Sequence, residues 1–118
     1  MEAIAHARFQ RFGPRNVAQV CGLIRGKSVR TAEDLLTQVA RRSAPVVGKT
    51  LKSAAANLQI KAGRRLEGTQ MWVRSAFSNQ GPMKALKRIQ PGPQGRAMPF
   101  KRKMCHLTIV VADTQKKD

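Results

Sequence analysis

The segment from residue 81 to residue 104 constrains the fold of this chain more than any other part of the sequence. It is rich in Lys, Arg, Pro and Gly and contains no acidic residue, so it cannot form a hydrophobic core. Residues 71–77 before it and 105–111 after it alternate with the period of two that is typical of strands, with Phe77 on the same side as Val73. The two strands are expected to pair antiparallel, and the segment between them, the arm, is expected to project from the body as a hairpin.

The arm is expected to be slim and largely extended. At about 3.3 Å per residue, two extended limbs of about twelve residues each would carry its tip about 40 Å from the body. Pro91, Pro93 and Pro99 cannot donate a backbone hydrogen bond, so the tip is not expected to be regular sheet. Gly92 and Gly95 permit positive φ and a close approach of a partner to the backbone. The alternative is a loop that is disordered until a partner orders it.

The charge of the chain restricts its partners. It has 23 Lys and Arg against six acidic residues, a formal charge of +17, and no acidic residue lies between residues 68 and 112. Such a field opposes the compact state unless a polyanion neutralises it, and nucleic acid is the commonest such partner. An anionic membrane is the competing partner, but the sequence contains no run of eighteen apolar residues, so no membrane span is expected. Aromatic residues make up only 4% of the chain, so base stacking is not expected to be the main mode of binding.

Three helices are expected in the first half of the chain. Pro14 suits the first turn of a helix, the apolar stripe that follows has a period near 3.6, and Gly26 ends the pattern. Thr31 is expected to begin a second helix as its capping residue, with acidic residues in the first turn. Ser43 begins a third helix, and Gly63 ends it.

No catalytic or metal site is expected. Cys21 and Cys105 lie in apolar patterns without metal-ligand spacing and are expected to be reduced core thiols. With six acidic residues, two His and no Tyr, the chain has no grouping with the spacing of catalytic residues. His6 and His106 would have to converge from opposite ends of the sequence. We therefore expect neither an enzyme nor a bound cofactor or metal.

Several motifs, taken in chain order, resemble those of one family. They are MEAIA at the start, then PRNVAQVCGLIRGKSV, LKSAAAN, SNQGPMKALKRIQP, QGRA and KRKMCHLTIVV. Each is weak alone, but together, over nearly the whole chain, they resemble the bacterial-type L-twenty-two family of large ribosomal subunit proteins. The tip departs from the pattern of that family, because Gly92 stands where a basic residue commonly follows the first proline.

The resemblance implies an α+β fold in which three helices pack on a small antiparallel sheet and a long β-hairpin protrudes. A strand within residues 3–12 and a single domain over residues 1–118, with the arm at about 81–104, fit that fold. The resemblance also implies a structural constituent of the large ribosomal subunit that binds large-subunit ribosomal RNA. Its hairpin would line the peptide exit tunnel and support subunit assembly. The implied setting is the cytoplasmic ribosome of a bacterium or an organellar ribosome, mitochondrial or plastid.

The resemblance also implies which residues meet each partner. Phosphate contacts are expected from basic residues of the body and the arm, namely Arg8, Arg11, Arg15, Arg25, Lys27, Lys49, Lys52, Arg74, Lys84, Lys87, Arg88, Arg96, Lys101, Arg102 and Lys103. The residues expected to face the tunnel are those of the tip, namely Pro91, Gly92, Gly95, Arg96 and Ala97. The expected partners are large-subunit ribosomal RNA, neighbouring ribosomal proteins and, at the tip, the nascent peptide.

An architectural DNA-binding protein is the alternative. Such proteins insert a basic β-ribbon with proline at its tip into the minor groove and bend the duplex. They also have small helical bodies, and they usually dimerise through an exposed apolar face. The three helical stripes of this chain are only just sufficient to cover its own sheet, which favours the ribosomal interpretation. Gel filtration separates the two, because a dimer formed without RNA favours the DNA-binding protein.

Overall fold

The computed structural model of the chain describes residues 1–83 and 87–114. Over these residues the fold is α+β, with one strand, then three helices, then four strands. The elements are β1 (Glu2–Gln10), α1 (Pro14–Ile24), α2 (Val29–Gln38), α3 (Ala44–Ala62), β2 (Trp72–Gln80), β3 (Lys87–Pro91), β4 (Ala97–Lys101) and β5 (Cys105–Ala112). A short 3-10 turn, Pro93–Gly95, connects β3 to β4. The predicted first strand and the three predicted helices are confirmed.

The main sheet has the strand order β1-β5-β2, and both of its pairs are antiparallel. The expected pairing of the two strands that flank the arm is therefore confirmed, with Ile109 of β5 opposite Ala76 of β2 and opposite Ala5 of β1. Helix α1 packs against β2, and α3 packs against β1 and β5. The helices thus cover one face of the sheet, and the other face is open.

The hydrophobic core lies between the helices and the sheet. On β5 every second side chain is buried, beginning with Cys105 and Leu107, as the alternation predicted. The buried stripe of α3 is also the predicted one, namely Val47, Leu51, Ala54, Ala55 and Leu58. The buried residues where α3 meets β1 are small, namely Ala54 and Ala55 on α3 and Ala3 and Ala5 on β1. They allow α3 to approach the sheet closely.

The start of α2 corrects one prediction. The capping residue is Ser28, whose hydroxyl oxygen accepts a hydrogen bond from the Thr31 backbone N–H at 3.3 Å. Thr31 therefore lies inside the helix, not at its cap. Ser28 can cap in the same way three residues earlier, and this earlier start allows Val29 to join the buried face.

A bulge in β2 corrects a second prediction. The pairing of β2 with β5 shifts in register between Val73 and Ser75. The extra residue reverses the alternation, so Ala76 is buried and Phe77 is 40% exposed on the open face of the sheet. The strict period of two predicted Phe77 on the same side of the sheet as Val73. That prediction is wrong, because the bulge lies between these two residues.

The arm is a two-stranded ribbon that leaves the body, as predicted. Its strands β3 and β4 pair antiparallel, and all their residues are exposed. The molecule measures 64 × 26 × 25 Å. Its radius of gyration of 17.4 Å exceeds the value of about 13.5 Å expected for a compact domain of this length.

Prolines enter the ribbon, contrary to the expectation that they would exclude regular sheet. Pro91 ends β3 opposite Ala97, and Pro99 lies within β4 opposite Ile89. A two-stranded ribbon consists only of edge strands, so a proline can turn its missing donor outward without loss of a ladder bond. The irregular part is restricted to the turn Pro93–Gly95.

Both cysteines are buried, which confirms that they are core residues, and no disulfide joins them in this structure. Burial raises the pKa of the Cys21 thiol to about 11 and also raises the pKa of Cys105, because a thiolate is poorly solvated in the core. Within residues 1–83 and 87–114, no group of three or more His, Cys, Asp or Glu side chains could hold a metal ion.

The raised pKa of Cys21 predicts that stability falls at alkaline pH. Between pH 9 and 11 the unfolded chain releases the thiol proton while the folded chain retains it, so the free energy of unfolding falls as pH rises. The expected loss from this group is about 2 to 3 kcal/mol over two pH units. Urea unfolding at pH 8 and pH 11 measures it, with Cys21→Ala as the control that lacks this contribution. An equally steep loss in Cys21→Ala would contradict the assignment to Cys21.

Candidate nucleic-acid interface

A basic cavity lies where the arm meets the body. Its volume is about 390 Å³, and its lining consists of Arg11, Gly13, Asn16, Arg88, Arg102 and Lys103. Four of these residues are cationic and none is acidic. Arg11 comes from the segment between β1 and α1, Arg88 from β3, and the other two cations from the segment that follows β4. We call this site the basic cavity.

The geometry of the basic cavity suits a phosphate group. Guanidinium groups offer several N–H donors in a planar fork, and charge-assisted hydrogen bonds to phosphate are stronger than neutral ones. The Arg102 guanidinium carbon also lies 5.9 Å from the centroid of the Phe100 ring, a cation–π contact that restrains this side chain. The fold therefore gathers four of the predicted phosphate-binding cations around one concave site.

The ribbon extends this positive surface away from the body. Lys87 and Lys101 lie directly opposite each other in the β3–β4 pairing. Like charges in that position destabilise a ribbon unless an anion lies near both. Among the described residues, neither takes part in a salt bridge with an acidic group. Exposed apolar side chains lie between the cations, with Ile89 70% and Met98 50% exposed.

The tip is a closed turn. The Gly92 N–H donates to the Arg96 carbonyl oxygen at 2.7 Å, and the Arg96 N–H donates to the Pro93 carbonyl oxygen at 3.3 Å. A Cβ atom at Gly92 would lie 3.0 Å from the Arg96 carbonyl oxygen, so any other residue at this position would force the turn to shift by a few tenths of an ångström. Gln94 and Gly95 have positive φ values of 57° and 73°. The predicted tip residues thus form one compact exposed loop, in which Gly95, and not Gly92, uses positive φ.

The other predicted cations lie elsewhere on the molecule. Several are exposed on the body outside the lining of the basic cavity, namely Arg8, Arg15, Arg25 and Lys27. Arg25 also has a structural role, because its Nε donates to the Ala76 carbonyl oxygen at 2.7 Å. Arg96 is exposed at the tip. Lys84 lies outside the described residues.

Three predicted cations have acidic neighbours. Arg74 forms an ion pair with Glu2. Lys49 and Lys52 line a separate groove of about 780 Å³ between α2 and α3, which Glu33 and Asp34 also line. These three residues are therefore not part of the acid-free surface at the base of the arm.

Asn16 is a residue of the basic cavity that the sequence did not single out. Its side chain lines the cavity beside Gly13, and its amide can both donate to and accept from a ligand. The only signal in the sequence was its position near the start of α1, next to a cation. Its approach to the arm depends on the tertiary fold.

Almost the whole chain matches one known protein family. The sequence profile described as ribosomal protein L22p/L17e matches residues 5–112. The chain belongs to this family. The resemblance inferred from the motifs is therefore confirmed, and the family is one of ribosomal proteins, a structural class and not a class of enzymes.

Individual relatives of the L22p/L17e family match over almost their full length. A large ribosomal subunit protein uL22 from Endomicrobium trichonymphae is 43% identical over 113 residues, which cover 96% of this chain and 93% of that protein. The protein of the same name from Clostridium acetobutylicum is 41% identical, covering 96% of this chain and 98% of its own length. That from Myxococcus xanthus is 38% identical and covers 98% of this chain and all of its own length.

None of the helices in residues 1–83 and 87–114 is both long enough and apolar enough to cross a bilayer.

Proposed function

We propose that this L22p/L17e-family protein is a structural component of the large ribosomal subunit that binds large-subunit ribosomal RNA. Its arm lines the peptide exit tunnel and supports assembly of the subunit. Neighbouring ribosomal proteins and, at the tip, the nascent peptide are its other partners. The ribosome is that of a bacterium or of an organelle. The observation that carries the proposal is the acid-free basic cavity at the base of an exposed basic ribbon.

The basic cavity supports the binding of a folded RNA backbone. Four cations around one concavity can neutralise closely spaced phosphates, and each contact releases condensed counterions. Cations from both the body and the arm line the cavity. A bound phosphate at this site therefore fixes the direction in which the arm leaves the body.

The ribbon supports insertion between RNA segments. Its cations lie on two slim strands, and its apolar residues, such as Ile89 and Met98, can contact sugars and bases once water is displaced. The closed turn at Gly92 means that little conformational entropy is lost when the tip is confined. A tip of this kind is suited to a position in a tunnel wall, with Pro91, Arg96 and Ala97 available to a passing peptide.

Not all of the proposed phosphate-binding residues are expected to contribute equally. Those of the basic cavity and the ribbon have no acidic neighbour among the described residues and are expected to dominate. Arg74, Lys49 and Lys52 share their surroundings with acidic groups and are expected to contribute less.

The salt dependence of binding tests the proposal against the architectural DNA-binding alternative. Filter binding compares a transcript of large-subunit ribosomal RNA with duplex DNA of equal length between 50 and 200 mM KCl. Several phosphate contacts predict a fall of about 1,000-fold or more in affinity for the RNA over this range. We also expect the RNA to bind at least about 100-fold more tightly than the DNA at 150 mM KCl, because the basic cavity and arm would recognise a folded RNA shape. Equal affinity for both, together with a dimer in gel filtration, would favour the DNA-binding protein.

A further inference from the structure

Phe9 has a backbone conformation that bulky residues avoid. Its φ is 58°, in the left-handed region, and its side chain is 60% exposed. A bulky residue with positive φ is an outlier, and such strain persists only where the surroundings impose it, most often at functional sites. An exposed ring contributes little to the core, so packing does not account for a phenylalanine at this position.

His106 holds Phe9 in this conformation. The Phe9 backbone N–H donates to His106 Nδ1 at 3.0 Å, and the two rings meet edge to face with centroids 4.8 Å apart at 86°. The β1–β5 register shifts between Ala7 and Gln10, so Phe9 lies in a bulge of the edge strand. A bulge of this kind redirects a side chain, and here it presents an aromatic ring to solvent.

The ring belongs to the open face of the sheet. Thr108 lies opposite both His6 and Phe77, so these three side chains form a row across that face. His106 lies two residues from Thr108 and therefore faces the same side. Phe77, turned outward by the bulge in β2, adds a second exposed aromatic ring to this face. Rings on an open sheet face are a common platform for unpaired RNA bases.

The basic cavity begins close to Phe9. Arg11 lines that cavity and follows Phe9 by two residues, which span at most about 7 Å of chain. Arg8, which is also exposed, immediately precedes Phe9. Cations thus flank the exposed ring in sequence, which favours a nucleotide over an apolar protein segment as its occupant.

We propose that Phe9 is a stacking site for an unpaired nucleobase of RNA, next to phosphates held in the basic cavity. His106 positions the ring, and Phe77 extends the platform. The inference rests on the proposed function, since the RNA is taken to be large-subunit ribosomal RNA. It places a base-stacking residue beside the basic cavity, whose cations are expected to contact phosphates only.

A set of variants at Phe9 tests the stacking site. Phe9→Gly removes the ring but keeps the backbone N–H that donates to His106 Nδ1. It also removes the strain of a positive φ, which glycine adopts freely. We expect its dissociation constant for the ribosomal RNA transcript to rise about 10-fold, as is usual for loss of a base-stacking aromatic residue. The salt slope is expected to stay unchanged, because no phosphate contact is lost, and Tm is expected to be unchanged or higher. If Phe9 had only a structural role, Phe9→Gly would instead lower Tm without this loss of affinity.

Two conservative variants and one control complete the test. Phe9→Tyr keeps an aromatic ring and is expected to bind as the unchanged protein does, whereas Phe9→Leu is expected to bind as weakly as Phe9→Gly. Ile60→Ala removes an apolar side chain that is 80% exposed on α3, and no change in affinity is expected. Unchanged affinity in both Phe9→Gly and Phe9→Leu would overturn the stacking site. If RNA binding still depends on the cations of the basic cavity, the proposed function survives that result.

Crosslinking supplies an independent readout. Ultraviolet irradiation of the complex joins stacked bases to aromatic rings, and mass spectrometry locates the adduct. We expect a nucleotide adduct on Phe9 that is absent in Phe9→Leu. Adducts confined to the ribbon, with none on β1, would contradict the stacking site.

Discussion

Replacement of the four cations of the basic cavity, Arg11, Arg88, Arg102 and Lys103, by glutamine is expected to weaken binding to large-subunit ribosomal RNA by roughly 1,000-fold at 150 mM salt. All four line one cavity without an acidic neighbour, so each is expected to contact phosphate directly. The slope of log affinity against log salt should become shallower by about 3, because each of the four lost phosphate contacts contributes about 0.7 to 0.9 to that slope. Filter binding over a range of KCl concentrations measures both quantities.

A matched control separates the site from the total charge. Replacement of four other arginines by glutamine removes the same number of charges from exposed positions that do not line the basic cavity. These are Arg41, Arg42, Arg64 and Arg65. We expect this variant to lose less than about 10-fold in affinity, because only long-range attraction is reduced. If both variants lose affinity equally, net charge and not the basic cavity determines binding.

Ile109→Ala is expected to destabilise the folded protein by about 3 kcal/mol or more. Ile109 is fully buried at the centre of β5, and its partners in both neighbouring strands are alanines, Ala5 and Ala76. These small side chains cannot fill the space that a truncated isoleucine leaves, so the loss combines a transfer term and a cavity term. Urea unfolding followed by far-ultraviolet circular dichroism measures the change in the free energy of unfolding.

The next residue of the same strand is the control for this change. Val110 faces the open side of the sheet and is only partly buried, so Val110→Ala is expected to cost less than about 1 kcal/mol. Equal losses at Ile109 and Val110 would contradict a sheet that the helices cover on one face only.

The regular elements could be predicted from the sequence because each depends on local periodicity. The buried positions of β5 and the stripe of α3 follow directly from periods of 2 and 3.6, and α3 ends at the predicted residue, Gly63, which has a positive φ. The bulge in β2 could not be predicted in this way. A bulge is a property of two strands in register, so the outward turn of Phe77 is visible only once β2 is paired with β5.

The candidate site was predictable in its composition but not in its shape. The sequence identified the cations of the arm as a group. Arg11 and Arg102 come together only in the fold, because β1 ends at the same end of the sheet from which the arm leaves, with Gln10 and Gln80 both opposite Cys105. Asn16 and Phe9 gave no comparable signal. An amide near a helix start and a phenylalanine in a strand are both common, and only the cavity lining and the backbone strain distinguish them.

The proposed binding of the arm to large-subunit ribosomal RNA can be tested by crosslinking in cells. The attached nucleic acid is sequenced, and the attached peptide is mapped. We expect the crosslinks to fall mainly on large-subunit ribosomal RNA, with the strands β3 and β4 joined to nucleotides that surround the peptide exit tunnel. Crosslinks mainly to genomic DNA, or scattered over many unrelated RNAs, would contradict a ribosomal role for the basic cavity and the arm.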